Sequence, residues 1–244
     1  MTNRIRILFV SFILVVALVY LDRRCVMVRV ADAGWRLPVS AALNLGLPVN
    51  TSCNGRPLLQ AAVVSGNLGL VQLLVSRGAN IDQRNNGRST ALITASALGE
   101  NEIIRTLLAA GASVKARPAL GESILLAPVH NGHLETVQLL LKAGVDCRSD
   151  SAALLTEAVR EKKLQILNLL LENGAEPDAR GGRGATALMW AAAFDDLSYL
   201  QLLLDYGANP SVRDDDGHTA IDWARREGRD VVQFMDRTAK PVAP

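Results

Sequence analysis

Apolar side chains recur along this chain at helical spacing, in short runs that glycine closes. In "LVQLLVSRGANIDQRN" (residues 70–85), Leu70, Val71, Leu73 and Leu74 fall at helical spacing, and Gly78 ends the run before a polar stretch. The phrase returns as "LETVQLLLKAGVDCRSD" from Leu134, "LQILNLLLENGAEPDAR" from Leu164 and "YLQLLLDYGANPSVRD" from Tyr199. The closing glycines are Gly46, Gly78, Gly111, Gly144, Gly174 and Gly207, at intervals of 32, 33, 33, 30 and 33 residues. A second marker, Pro57, Thr90, Ser123, Ala153, Thr186 and Thr219, keeps the same step. A third falls between them at Gly66, Gly99 and Gly132, with Lys162, Asp195 and Gly228 at the equivalent places. Each unit is predicted as a short helix, a turn, a longer helix, a glycine cap and a polar connector. Neither helix buries its apolar side alone, so the units must stack as a solenoid.

The first residues follow another pattern. "ILFVSFILVVALVYL", Ile7 to Leu21, is an apolar run of 15 residues behind the basic leader "MTNRIR". As a helix it would reach ~22 Å, short of a ~30 Å hydrocarbon core unless Arg6 and Arg23 snorkel. The expectation is an uncleaved anchor through residues 5–21, with Ile7, Leu8, Phe9, Phe12, Leu14, Val16, Leu18 and Leu21 in lipid. A cleaved signal sequence is the alternative, although the only A-x-A match nearby, Ala31 to Ala33, lies far downstream. The basic leader favours a cytoplasmic N-terminus. The repeats would then be inner-membrane anchored and periplasmic, or exported to the periplasm after cleavage.

Composition narrows the chemistry. With 26 Lys and Arg against 24 Asp and Glu, the 244-residue chain carries +2, so bulk charge gives no case for nucleic acid. Cys25, Cys53 and Cys147 are too few and too scattered for a disulfide framework or a zinc signature, and are read as isolated thiols. His130 and His133 in "HNGH" straddle a turn without a third ligand in sequence, and "GGRG" at 181–184 sits in a connector rather than between strand and helix. No nucleophile elbow, zinc-protease helix or phosphate loop is present. No catalytic, cofactor or metal residues and no small-molecule substrate are expected.

The repeats resemble the ankyrin family. Its pattern is met by "NGRPLLQAAVVSGNLGLVQLLVSRGANID" from Asn54, "GRSTALITASALGENEIIRTLLAAGASV" from Gly87, "GESILLAPVHNGHLETVQLLLKAGVD" from Gly121 and "GATALMWAAAFDDLSYLQLLLDYGANP" from Gly184. "GHTAIDWARREGRDVVQFM" from Gly217 matches a closing half-unit. The resemblance implies an all-α solenoid. The domains are then residues 1–24 as anchor or signal sequence, 25–52 as a degenerate cap repeat, 53–236 as ankyrin repeats and 237–244 as a tail. It also implies a non-enzymatic protein-binding module. The family's His in the first helix is replaced throughout, by Gln60, Ile93, Leu126, Thr156, Met189 and Asp222, so bonding between units should be reduced. Pro128 inside a first helix should delete an N–H and bend it.

Six residues beyond the capping glycines stand Ser52, Arg84, Arg117, Asp150, Arg180 and Arg213. Four arginines at one structural position suggest a basic row able to read carboxylates on a partner; the alternative is a solubilising edge. Arg56 and Arg183 extend the basic edge, and Asp215 belongs to its acidic end. In the family, partners lie against connector tips and first helices. By position this adds Ser89, Leu98, Glu122, His130, Asn131, Arg160, Phe194 and His218, with Ser65, Glu161 and Arg226 beside them. Leu98 and Phe194 are the expected apolar anchors. Trp190 and Trp223 hold one position in adjacent units and are read as inter-repeat core in preference to an aromatic platform. The expected partner is a protein with an acidic patch. By likeness of layout to exported bacterial ankyrin proteins, the chain is expected to act as an immunity protein against a secreted toxin. A scaffold, or an assembly or regulatory factor for a resident envelope protein, is the alternative.

Overall fold

The computed structural model describes residues 23–33, 36–228 and 232. They belong to two compact units, one ending at Ile124 and one beginning at Leu125. In the first, helices α1 (Arg23–Asp32), α3 (Leu58–Val64) and α5 (Ala91–Leu98) pack in succession as an inner layer. Helices α2 (Arg36–Asn44), α4 (Leu68–Ser76) and α6 (Asn101–Ala109) form the outer one. Between α2 and α3 lies a two-stranded hairpin, β1 (Ser52–Cys53) and β2 (Arg56–Pro57), in which Ser52 faces Pro57 and Cys53 faces Arg56. Its turn is Asn54-Gly55 with φ of 50° and 74°, the sequence and geometry of a two-residue hairpin whose central residues both need positive φ.

The second unit repeats the two layers. Helices α7 (Leu126–Asn131), α9 (Ser151–Arg160), α11 (Ala187–Ala193) and α13 (Ala220–Arg226) pack in succession inside. Helices α8 (Leu134–Lys142), α10 (Leu164–Glu172) and α12 (Leu197–Asp205) pack in succession outside. Leu58, Leu70, Leu74, Leu92, Ile104 and Leu107 are fully buried in the first unit, and Leu125, Leu140, Leu154, Leu167, Leu170, Leu200 and Leu203 in the second.

The periodic markers have local causes. At the second marker, the Thr90, Thr186 and Thr219 hydroxyls accept from the backbone N–H three residues on, capping α5, α11 and α13. At the closing glycine the chain turns left-handed, and two bonds seal the helix end. In α4 Gly78 N–H donates to Val75 O and Ala79 N–H to Leu74 O, with φ of 77° at Gly78. At the third marker Lys162 and Asp195 take φ of 55° and 59°, the conformation Gly132 adopts without a side-chain penalty.

Neighbouring connectors are laced together. Asn50 accepts from Asn80 N–H and Asp82 from Ser113 N–H in the first unit, and Asp178 from Asn209 N–H in the second. The missing family histidine is partly made good. Gln60, only 2% exposed, donates its side-chain amide to the Ser89 carbonyl one connector on. Asp222 instead turns back to Thr219 and completes a capping box. The expected bend at Pro128 is avoided, because α7 is shortened to six residues and Pro128 falls in its first turn, where no helical N–H is lost. Cys53 is disulfide-bonded, which corrects its reading as an isolated thiol, whereas Cys147 is free and buried.

The membrane expectation is also corrected. Among the described residues no helix is long and apolar enough to cross a bilayer. The longest have 10 residues, ~15 Å of helix against a ~30 Å hydrocarbon core. The run from Ile7 to Leu21 on which the anchor, the membrane contact through residues 5–21 and the periplasmic placement rested lies outside the described residues. None of those assignments is carried further.

Candidate functional site

The connector arginines do something their spacing did not disclose. Arg84 donates to the Arg88 carbonyl, Arg117 to that of Gly121 at 2.9 Å, Arg180 to that of Gly184 at 3.3 Å and Arg213 to that of Gly217 at 2.6 Å. In every case the acceptor lies four residues on and has positive φ, between 56° and 84°. Each guanidinium therefore clips shut the turn at its own connector tip. Arg84 reaches further, to the Arg117 carbonyl at 3.1 Å. Arg180 pairs with Asp215 at 2.9 Å and Arg183 with Asp216 at 2.7 Å, so the last two connectors are joined by ion pairs. The expected acidic end is thus engaged by the expected basic edge.

In the first unit, Arg56 is paired with Asp32 at 3.1 Å. Ser89 is half-buried, its amide donating to Asn85 and its hydroxyl 3.3 Å from that of Thr94. Leu98 is 48% exposed, and Glu122 is exposed. In the second unit His130 Nδ1 lies 2.6 Å from Glu157 and 3.8 Å from Glu161, and Asn131 is exposed. The donor atoms of His130, Glu157 and Glu161 gather within 4.8 Å, as do those of Asp214, Asp216 and His218. Arg160, 3.8 Å from Glu157, already brings positive charge to the first cluster.

In the second cluster Asp214 is buried and accepts from Trp223 Nε1 at 2.8 Å, His218 N–H at 2.8 Å and Asp216 N–H at 3.0 Å. Burial pushes its carboxyl pKa up, but these donors, with the His218 ring nearby, outweigh burial and hold it below its ordinary value. Asp222 is lowered too, first through the Thr219 N–H and hydroxyl that donate to it. Both carboxylates are therefore committed to holding the last connector and α13.

Trp190 is the centre of a cluster of rings in this unit. Its ring meets Trp223 edge to face at 5.3 Å and 71°, and Phe194 at 5.8 Å and 37°. The Arg160 guanidinium stacks 5.5 Å from its centroid. Both tryptophans are half-buried and Phe194 is 40% exposed, so the trio is a platform at the surface rather than core. The sequence carried the signal: Trp190 and Trp223 are 33 residues apart, one repeat, and Phe194 follows Trp190 by four.

Two clefts flank the pair. One of about 380 Å³ is lined by Trp190, Ala193, Phe194, Trp223, Arg226 and Glu227. The other, about 200 Å³, has Arg183, Asp214, Asp216 and His218 beside Trp190, Trp223 and Arg226. A more open groove of about 570 Å³ runs over α8, α10 and α12 between Leu134, Leu164, Asn168 and Leu202.

Stacked helix pairs with projecting hairpin connectors define a repeat solenoid. Comparison names the class. A family model described as ankyrin repeats (3 copies) matches residues 37–118, 116–181 and 155–242, and the chain belongs to the ankyrin-repeat family. It is similar to the human ASB11 ankyrin repeat domain, with 26% identity and a TM-score of 0.75 over 89% of this chain and 99% of that one. The ankyrin repeat domain of Bcl-3, a member of the IkappaB family, is 27% identical with a TM-score of 0.75, over 86% and 97% of the two chains. An ankyrin repeat domain from Acinetobacter baumannii AYE is 26% identical with a TM-score of 0.69, over 75% and 98%. No curated protein sequence matches the chain. It is a non-enzymatic protein-interaction module.

Proposed function

We propose that the chain is a scaffold or regulatory adaptor, holding a protein partner against the inner helices and connector tips of its repeats. One observation supports this above the others: Trp190, Phe194 and Trp223 stand together at the surface, flanked by Arg160 and Arg226. Aromatic and arginine side chains dominate the binding energy of protein interfaces, and exposing them is costly without a partner. Nothing in this geometry calls for a toxic partner, so the broader reading is preferred to neutralisation of a secreted toxin. The basic row of Arg84, Arg117, Arg180 and Arg213 takes a supporting part, presenting connector tips already stiffened by its own hydrogen bonds.

The test is capture of partners by the tagged full-length chain, compared with a Trp190→Ala/Phe194→Ala variant, and identification by mass spectrometry. A resident protein retained by the wild type and lost by the variant is the expected result. Equal retention by both would move the interface elsewhere. A single partner that is toxic when expressed alone would make the chain a dedicated inhibitor instead.

A further inference from the structure

We propose that the two clefts beside Trp190 and Trp223 form one site for an acidic linear peptide, which inserts a large apolar side chain and presents a neighbouring carboxylate to Arg226. This rests on the protein-binding reading above and adds the chemistry of what is bound.

The larger cleft, about 380 Å³ between Phe194, Ala193 and the two indoles, has the volume and the apolar walls of a ligand pocket. The smaller one, about 200 Å³, adds the charged and polar side chains of Arg183, Asp214, Asp216 and His218. They share Trp190, Trp223 and Arg226, so an occupant of one lies against the other. In an extended peptide, side chains on one face repeat every ~6.6 Å, a step that serves adjoining pockets of this kind.

Charge sets the sign of the polar end. Around the clefts Asp216 is paired with Arg183, Glu157 with His130 and Arg160, and Asp214 has its three donors. Arg226 is different. It is exposed, lines both clefts, and its side chain makes no hydrogen bond or ion pair among the described residues. Its guanidinium offers a carboxylate the planar, bidentate partner that it lacks. Glu227 lines the larger cleft, where the apolar side chain goes, and not the smaller one. The two neighbours thus make opposite demands, and that separates an acidic peptide from a basic one.

The experiment is a displayed library of random dodecapeptides selected against the full-length chain. Fluorescence anisotropy of a labelled selected peptide then gives affinities. Selected sequences should pair a Trp, Phe, Leu or Met with Asp or Glu within three positions. Phe194→Ala, at an exposed helix end, and Trp190→Ala should each weaken binding at least tenfold, with circular dichroism confirming that both variants fold. Arg226→Gln should weaken it about tenfold, and Glu227→Gln should leave it unchanged or tighten it.

Selection of basic peptides, or loss of binding on Glu227→Gln but not on Arg226→Gln, would overturn the proposal. So would a library that yields no binder while the capture experiment still recovers a partner sensitive to Trp190→Ala/Phe194→Ala. That result leaves a folded-protein interface in place of a peptide site. Failure of the capture experiment alone would count against the adaptor reading and not against a peptide measured to bind.

Discussion

Arg180 and Asp215, 35 residues apart in sequence, meet at 2.9 Å across two successive connectors, and the same guanidinium also holds the carbonyl of Gly184. One side chain thus closes its own turn and ties it to the next. Both partners are substantially exposed, so the ion pair itself is worth little, ~0–1 kcal/mol. Arg180→Ala is expected to cost about 1 kcal/mol, because a backbone hydrogen bond goes with the pair. Asp215→Ala should cost less. A double-mutant cycle by urea unfolding should give a coupling of about 0.5 kcal/mol that shrinks in high salt. A coupling near zero at low salt would show that the pair contributes no stability.

Lys162 is exposed and sits at φ 55°, where Gly66, Gly99 and Gly132 stand in other units. A side chain there costs ~1–2 kcal/mol relative to glycine, while glycine makes the unfolded chain freer by ~0.4–1 kcal/mol. Lys162→Gly is therefore expected to stabilise by about 0.5–1 kcal/mol in chemical denaturation, against the usual direction of a glycine substitution in a helical protein. A loss of stability would mean that the lysine stem packs to an extent its exposure does not suggest.

The repeat was legible because its causes are local. Threonine caps, left-handed glycines and apolar periodicity each act within one helix, so they leave a mark in every unit. What escaped depended on side-chain direction. Arg84, Arg117, Arg180 and Arg213 were visible as a row. That each turns back onto a carbonyl four residues away follows from the turn geometry, which sequence spacing does not encode. Trp190 and Trp223 were visible as a pair one repeat apart, yet an indole at that place fits a core as well as a surface; the two are separated only by how far α11 and α13 leave the rings uncovered. The same holds for Gln60, whose reach to the Ser89 carbonyl stands in for a histidine the sequence lacks.

Cys147 is free and 2% exposed, with its thiol directed at the carbonyls of Asn173 and Leu170. Burial pushes its pKa above the ordinary thiol value, so little thiolate is available at neutral pH to attack a reagent. Alkylation by iodoacetamide, followed by peptide mapping, should leave Cys147 unmodified in the native chain and label it fully once urea has unfolded the second unit. Rapid labelling under native conditions would mean that the α9–α10 region opens locally.

The last connector should be the acid-sensitive part of the second unit. Asp214 and Asp222 both have carboxyl pKa values below the ordinary value in the folded chain, each through donors that disappear on unfolding. The unfolded state therefore binds protons that the folded state refuses. The stability these groups contribute is fully present above the unfolded carboxylate pKa of ~3.9 and is lost as pH falls from there through the lowered folded values. Thermal unfolding monitored by Trp fluorescence in a Trp35→Phe background, which leaves Trp223 on α13 and its neighbour Trp190 on α11 as the reporters, should show Tm falling below about pH 4–5 as this stability goes. Asp214→Asn lowers Tm at neutral pH, because a neutral amide is the weaker acceptor for Trp223 Nε1 and the two backbone amides. It also flattens the acid limb, because the proton uptake at that carboxyl is gone. The paired signs are the test: if Asp214→Asn lowered Tm equally at pH 7 and pH 3, the loss would come from packing, and the charge of Asp214 would have no part in holding Trp223 in place.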